Sequence, residues 1–482
     1  MKKIFLLVAV TLFGLASCDL TEEPVTANDT DKALGTFEGL NDATAFIYSA
    51  FRSEGWYGSY TSLMPDVMCG NAVAGQPLNT GRGNSFNNWL FTASSGWTIW
   101  GNAYTNLLRC NNVIYKIKTD RATYLAEDGV TDESLDNIMA ECLFVRAYCY
   151  FDLVRWYSVD YDPATASTAL GVPIVSEDPS VSVVEKPKRK TLAEVYAAIV
   201  QDLNDALGLM SETYIHAGVT DTKATCTYHV IEALLARVYL YMHDYENAEL
   251  MATNVITSGD YTLATQSNYA SIWSEAVWSN NGEIIFGVYS SLSEGSVSNS
   301  NGMVTSPDEY GDVRVSNDLL DILSQNDVRR TMLQTSSSYS GYYWPAKYMG
   351  KGDGTSVAYS NIPLIRTSEM YLIRAEARYR LNKDGALSDL NAVATNRGAT
   401  AYDAVTEDAI FNENRKEFAF EGHIYHDYKR FDRRLVRTDV ISGTSNQNVE
   451  RNGDGGNGYL WLMPIATSEL EVNENLEQNP GY

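Results

Sequence analysis

The sequence predicts a mainly α-helical protein in which helix pairs of the tetratricopeptide kind alternate with long irregular segments. Two observations lead to this fold class. Apolar residues recur at steps of three and four in several stretches of the chain, which is the period of a helix with a buried face. Segments rich in Gly, Asn and Ser lie between those stretches and lack that period. At 482 residues the chain can bury a large core and hold more than one structural unit.

The start of the chain indicates export and lipidation. Two lysines precede an uncharged apolar run over residues 4–13, which is too short to cross a bilayer and is typical of a signal peptide. The letters LASC that end at Cys18 resemble a bacterial lipobox. We therefore predict a lipoprotein signal peptide over residues 1–17, a lipid anchor on Cys18 and a polar tether over residues 18–32. The alternative is a secreted protein in which this cysteine is coincidental.

Two helices are predicted in the middle of the chain. Between residues 139 and 157 one face is apolar or small and the other face is largely apolar too, so this helix is expected to be buried between neighbours. The next helix begins at a capping box, in which Thr191 and Glu194 stand three residues apart. Its apolar residues predict a helix from about residue 192 to residue 209.

Two further segments predict helix pairs. The segment over residues 228–257 contains two periodic stretches that are joined at His243 and Asp244, and residues 368–395 repeat this arrangement. In each pair alanines stand where the helices would cross, which is typical of tetratricopeptide repeats, although the spacing between the copies is irregular.

The irregular segments are the predicted binding surface. The first runs over residues 55–96, the second over residues 261–360, and an Asn- and Gly-rich third over residues 441–460. Loops of this length inside a compact domain are usually functional or disordered, and the many aromatic residues of the first two argue against disorder.

Composition and motifs give no sign of an enzyme or of a nucleic-acid partner. The 61 acidic and 36 basic residues give a formal net charge of −25, and such a surface repels polyanions. The sequence has no Gly-x-Ser-x-Gly elbow, Walker loop or His-Glu-x-x-His pair. His423 and His426 could share a helix face and hold zinc, but we interpret them as structural, and we interpret Asp454 as part of a solvated turn rather than a calcium site. We expect no metal and no cofactor.

Five cysteines besides Cys18 are expected to be buried, inert thiols. Cys142 and Cys149 would lie about 10 Å apart along one helix, which is too far for a disulfide. The others are Cys69, Cys110 and Cys226.

The order of several motifs resembles the SusD/RagB family of outer-membrane lipoproteins of Bacteroidetes. After the lipobox these are WGNAYTNLLRCNNVI from Trp100, AECLFVRAYCYFDLVRWY from Ala140, GVPIV from Gly171, LLARVYLYMHDYENA from Leu234, IRTSEMYLIRAEARY from Ile365, NRKEFAFEGHIYHDYKRF from Asn414 and NLEQNPGY ending at Tyr482. The resemblance covers essentially the whole chain. One departure is His423, where the family commonly has Arg.

The resemblance implies a SusD-like α-helical superhelix with a more irregular half of loops and short hairpins over residues 33–482. It also implies a non-catalytic lipoprotein on the cell surface that binds a nutrient, an oligosaccharide above all, and delivers it to a SusC-like TonB-dependent transporter. Peptide binding, a surface glycan hydrolase and a helical-repeat scaffold for protein partners remain alternatives.

A sugar binder needs flat aromatic rings for the apolar face of the sugar and polar groups for its hydroxyl rim. The residues that we select on this basis are Arg82, Asn88, Trp89 and Trp97 from the first irregular segment, and Tyr289 and Trp344 from the second. Any one of these aromatic residues could instead pack within its own loop.

Overall fold

A computed structural model of the protein describes residues 30–94, 98–182, 184–294, 298–352 and 354–482. The predicted signal peptide, Cys18 and Trp97 therefore lie outside the described residues. Within the described ranges, no helix combines the length and the apolar character that a membrane span requires.

Helices make up most of the regular structure, and the mainly α fold class is confirmed. In the first half of the chain the α-helices are α1 (Thr30–Ala33), α2 (Phe37–Ser49), α3 (Tyr60–Cys69), α4 (Asn84–Asn87), α5 (Ile99–Tyr124), α6 (Asp132–Tyr157), α7 (Pro179–Ser182), α8 (Leu192–Leu209), α9 (Tyr228–Tyr241) and α10 (Tyr245–Thr257). In the second half they are α11 (Ser271–Ser274), α12 (Asn301–Thr305), α13 (Asn317–Leu320), α14 (Thr367–Arg380), α15 (Ala386–Asn396), α16 (Glu407–Glu417), α17 (Ile424–Arg430) and α18 (Thr467–Val472). Short 3-10 helices cover Ala50–Arg52, Thr222–Ala224, Leu292–Glu294, Val328–Met332, Val357–Tyr359 and Gly458–Trp461.

The periodic helices form as predicted. The capping box at the start of α8 is present, because the Glu194 amide donates to the Thr191 hydroxyl and the Thr191 amide donates to the Glu194 carboxylate at 2.8 Å. Helix α6 is buried along nearly its whole length after Leu135. Its apolar circumference is explained by its neighbours, since α2, α5, α8 and α9 all pack against it.

The long helices pack in sequence order, each against the next: α5 on α6, α6 on α8, α8 on α9, α9 on α10, α10 on α14, and α14 on α15. The predicted pairs are α9 with α10 and α14 with α15. Ala236, Ala248 and Ala375 are completely buried, which lets the helix backbones of each pair approach closely. These successive contacts build the superhelical half of the molecule.

The strands are short and form two-stranded antiparallel sheets. The pairs are β1 (Ala72–Ala74) with β3 (Val313–Val315), β2 (Ile284–Val288) with β6 (Ile362–Arg366), β4 (Leu333–Gln334) with β5 (Trp344–Pro345), and β7 (Leu435–Val436) with β8 (Asn448–Val449). Two of the pairs, β4 with β5 and β7 with β8, join strands that follow each other in the chain. Short hairpins therefore occur in the irregular half, as expected from the resemblance.

The first irregular segment differs from the prediction, because it contains helix α3. Every residue of this helix from Thr61 to Cys69 is buried, and the helix packs against α17. Periodicity could not reveal this ten-residue helix, because no side of it faces solvent and so it has no exposed polar face. In addition, Pro65 lies in its middle, and proline usually argues against a helix.

Buried ion pairs connect the irregular half to the helical half. The Glu417 carboxylate at the end of α16 accepts hydrogen bonds from Arg366 at 2.8 Å, Arg397 at 2.9 Å and Arg329 at 3.2 Å. Burial alone would raise the pKa of Glu417, but these three guanidinium groups hold it well below its usual range. Arg366 also donates to Glu283 at 2.9 Å, which ties β6 to the start of β2.

The five described cysteines are buried and free, so the prediction of buried thiols is confirmed. Burial raises the pKa of each thiol above its usual value, which keeps the thiols protonated and unreactive.

Candidate ligand-binding site

The first two irregular segments meet at Gly311 and Asp312. The buried Asp312 carboxylate accepts hydrogen bonds from the Thr80 amide at 2.6 Å and from the Thr80 hydroxyl. The Asp312 carbonyl accepts from the Gly75 amide at 3.0 Å, and the Gly311 carbonyl accepts from the Trp344 indole at 2.8 Å. The contacts of Asp312 with Thr80 and Gly75 therefore hold the first and second irregular segments together on one face of the molecule.

A tight turn presents Arg82 on this face. Gly81 and Gly83 have φ values of +96° and +77°, a left-handed conformation that glycine adopts without strain. The Asn79 side chain accepts a hydrogen bond from the Gly81 amide at 2.9 Å, which is the geometry of an Asx turn. The local sequence Asn-Thr-Gly-Arg-Gly therefore explains why this arginine stands at the tip of the turn.

Arg82 is the centre of a half-exposed polar cluster. Its side chain is 31% exposed, its guanidinium lies 3.8 Å from the centre of the Tyr310 ring, and its Nε donates to Asn299 at 2.8 Å. The Asn299 amide in turn donates to Glu54 at 2.8 Å. We call Glu54, Arg82, Asn299 and Tyr310 the Arg82 cluster.

Two further aromatic rings border the cluster. Tyr60 and Phe86 are half-buried, and their ring centres lie 5.5 Å apart. Burial raises the pKa of Tyr60, and the neighbouring Glu54 carboxylate raises it further by its charge and a hydrogen bond. The cluster therefore combines a cation, an amide, a carboxylate and aromatic rings within one accessible surface.

An open cavity of about 550 Å³ lies beside the Arg82 cluster. Its lining includes Ser53, Thr98, Asn102 and Arg109, and the Ser53 hydroxyl is buried without a hydrogen-bond partner among the described residues. We call it the Asn102 cavity. Ser53 is the chain neighbour of Glu54, so the Glu54 loop connects the cavity to the Arg82 cluster.

Gly55 allows the Glu54 loop to approach the start of α5 closely. A Cβ atom at this position would overlap the Thr98 hydroxyl and would come within 2.9 Å of the Asn102 amide. Only glycine lets the Glu54 loop lie directly on the start of α5.

The structure corrects the roles predicted for Trp89 and Trp344. The two side chains are 1% and 0% exposed, so neither indole has a face on which a sugar could stack. The Trp89 indole donates to the Met68 carbonyl at 2.9 Å and packs edge-on against Trp461, with ring centres 4.8 Å apart. Both tryptophans hold their loops in place instead of contacting a ligand.

Asn88 and Tyr289 are not part of the Arg82 cluster. The Asn88 amide group donates to the Asn84 carbonyl at 2.8 Å, and its oxygen accepts from the Ser445 amide at 2.8 Å. This side chain therefore connects the first and third irregular segments. Tyr289 lines a separate cavity of about 230 Å³, where the Lys351 ammonium lies 3.7 Å from the centre of its ring.

Of the predicted ligand residues, Arg82 lies at the candidate site, and Trp97 lies outside the described residues. Sequence reasoning missed Glu54, Asn299 and Tyr310. Asn299 and Arg82 are 217 positions apart, and a polar residue within a long Ser- and Asn-rich loop carries no signal of its own. Tyr310 could have been found as a further aromatic residue of the second segment.

His426 is buried and His423 is partly buried, with its ring stacked on Phe418. Burial, together with neighbouring cations such as Arg155, holds the pKa of His423 and His426 well below the usual value. Across the described ranges, no three His, Cys, Asp or Glu side chains are arranged to hold a metal ion.

Comparison with known proteins gives concordant matches. A model of the SusD family matches residues 282–482, and a model of a family described as starch-binding and associating with the outer membrane matches residues 51–240. The starch-binding protein SusD of Bacteroides thetaiotaomicron is 33% identical over 144 residues, which is 27% of this chain and 24% of that protein. The alignment thus spans about a quarter of the length of the curated relative.

Solved structures match over nearly the whole chain. A SusD superfamily protein from Bacteroides thetaiotaomicron is 27% identical with a TM-score of 0.81, and the match covers 92% of this chain and 100% of that one. A SusD superfamily protein from Bacteroides vulgatus is 25% identical with a TM-score of 0.80, covering 93% and 99% of the two chains.

Proposed function

The chain belongs to the SusD family, and we propose that it is an outer-membrane lipoprotein that binds an oligosaccharide at the cell surface. Proteins of this family bind their ligands and are not catalysts. In this proposal the chain captures a nutrient glycan and passes it to a SusC-like TonB-dependent transporter without breaking a bond in it.

The Arg82 cluster and the adjoining Asn102 cavity are the observation that carries this proposal. A neutral sugar offers an apolar C–H face and a rim of hydroxyl groups. Tyr310 and Tyr60 supply rings, whereas Arg82 and Asn299 supply polar partners for the rim. Few of these groups would have to be reorganised on binding, because hydrogen bonds already fix the polar ones in place.

The lipid anchor and the partner are further parts of the proposal. Acylation at Cys18 would attach the chain to the membrane through a tether that ends near residue 32. The support for this is the lipobox in the sequence and the outer-membrane association in the description of the matching family.

The decisive experiment compares two arginines of equal exposure. Purified protein is titrated with a panel of oligosaccharides and a panel of peptides, and binding is followed by calorimetry and tryptophan fluorescence. Arg82→Ala should weaken oligosaccharide binding about tenfold to a hundredfold, since hydrogen bonds to charged groups contribute about 1.5–3 kcal/mol. The matched control is Arg121→Ala, because Arg121 is 32% exposed, is also paired with carboxylates, and lies near the far end of α5.

Three outcomes would contradict the proposal. Equal binding by wild type and Arg82→Ala would place the ligand elsewhere on the protein. Binding of peptides but not of oligosaccharides would replace the proposed ligand class. Shortened oligosaccharides after incubation would identify a hydrolase.

A further inference from the structure

Another polar cavity lies at the linker between α8 and α9, away from the Arg82 cluster. Its volume is about 330 Å³, and its walls include Tyr214, Lys223, Tyr228, His229 and Asp260. This volume is at the small end of ligand pockets, which begin at about 300 Å³. We call it the Tyr228 cavity.

Two polar groups of this cavity have no hydrogen-bond or ion-pair partner among the described residues. Neither the Lys223 ammonium nor the Tyr228 hydroxyl makes a hydrogen bond or an ion pair with any described residue. The Lys223 ammonium lies 4.3 Å from the centre of the Tyr261 ring, and burial lowers its pKa. This half-buried ammonium remains open to solvent, so it is available to an incoming oxygen atom.

Carboxylates outnumber basic groups around the cavity. His229 lies between Glu232 at 2.7 Å and Asp260 at 3.5 Å, and the hydrogen bond to Glu232 is the main reason why its pKa is raised. The exposed Glu212 is also part of the lining. Lys223 and His229 therefore face the three carboxylates of Glu212, Glu232 and Asp260, which gives an anionic ligand no advantage over a neutral one.

The aromatic side chains in the cavity wall are suited to the apolar C–H face of a sugar. The ring of Tyr228 is half-buried and stands at 88° to the His229 ring. The hydroxyl of Tyr214 is directed inward, where it donates to Glu141 at 2.8 Å, so its ring and not its polar end is part of the wall. Rings for a C–H face and unpaired donors for hydroxyl oxygens are the chemistry that recognises a carbohydrate.

We propose that the Tyr228 cavity is a second binding site, which holds one or two rings of a neutral sugar between its tyrosines and Lys223. This site uses none of the residues of the Arg82 cluster. Its existence is therefore independent of the function proposed above.

The test uses small glycosides that can occupy the cavity alone. Saturation-transfer NMR is recorded with methyl α-D-glucopyranoside, methyl α-D-mannopyranoside, methyl β-D-galactopyranoside and glucuronic acid. At least one neutral glycoside should bind the wild-type protein, and Tyr228→Ala should weaken that binding by about tenfold, which corresponds to about 1.4 kcal/mol. Tyr228→Phe keeps the ring and should lose less than Tyr228→Ala. Tyr379→Ala is the matched control, because this tyrosine is exposed on α14 and lines none of the cavities described above.

The melting temperature of each variant shows whether it is folded, and Lys223→Met provides a second variant if Tyr228→Ala is not. The proposal is overturned if no neutral glycoside binds, if binding is unchanged in both variants, or if only glucuronic acid binds through Lys223. Because Tyr228 does not contact the Arg82 cluster, a signal that depends on it stands even if oligosaccharide binding at that cluster fails.

Discussion

Replacing Trp89 should destabilise the protein rather than its ligand complex. Burial of a tryptophan removes roughly 200 Å² from water, which at about 25 cal/mol per Å² corresponds to about 5 kcal/mol. That figure is an upper bound, because unfolded chains already bury part of their surface. Measured Trp→Ala costs of about 3–5 kcal/mol in protein cores agree with it. We therefore expect Trp89→Ala to lower the free energy of unfolding by about 4 kcal/mol.

The backbone at Trp89 adds a second, sharper expectation. Its φ is +52°, which costs a residue other than glycine about 1–2 kcal/mol. Glycine regains that cost in the folded state but loses about 0.5–1 kcal/mol through the greater freedom of the unfolded chain. Trp89→Gly should consequently be less destabilising than Trp89→Ala by up to about 1 kcal/mol, although glycine removes more of the side chain.

Thermal unfolding followed by circular dichroism measures both effects. An unfolding entropy of about 2.1 cal/mol/K per residue gives roughly 1 kcal/mol per degree for a chain of this length. The melting temperature should fall by about 4 °C for Trp89→Ala and by about 1 °C less for Trp89→Gly. A melting temperature equal to that of wild type, together with clearly weaker oligosaccharide binding, would refute this reasoning and restore Trp89 as a ligand contact.

Two other predictions concern the anchor and a buried acid. Cys18→Ala should move the protein from the membrane fraction to the soluble fraction of fractionated cells, and its retention with the membranes would contradict the lipid anchor. Burial raises the pKa of Asp66 from 3.8 to about 7, so the stability tied to its protonated form is fully present below about pH 4 and is lost as the pH rises through 7. The free energy of unfolding of Asp66→Asn, relative to that of wild type, should therefore increase by up to about 4 kcal/mol between pH 4 and pH 8. If the melting temperatures of the two proteins differ by the same amount at every pH in that range, the shifted pKa is excluded.

The helical half was predictable because its signals are local. The capping box at Thr191 and the periods of α6, α9 and α14 arise from residues within one helix. Such signals can be recognised without knowing which elements pack against the helix. Helix α3 is different, because Thr61, Ser62 and Asp66 are buried together with its apolar residues and leave no hydrophobic period. Helices α2 and α5 were not predicted from the periodicity of the sequence either.

The candidate site was predictable as a region but not residue by residue. Both aromatic segments do meet, yet the sequence could not distinguish Arg82, which is half-exposed, from Trp89, which is buried against Trp461. Burial depends on contacts between distant parts of the chain, and composition gives no measure of it. An aromatic residue in a loop is equally suited to contacting a ligand and to packing the loop, so its type alone does not distinguish the two roles.

The glycine at position 55 has a consequence for how specificity could diverge among relatives. A Cβ at this position would meet the side chains of Thr98 and Asn102 at the start of α5, so either those side chains or the Glu54 loop would have to shift. A single substitution at a position outside the Arg82 cluster could therefore change the geometry of that cluster. If the proposed function is right, binding specificity could change through this position while every side chain of the Arg82 cluster stays the same.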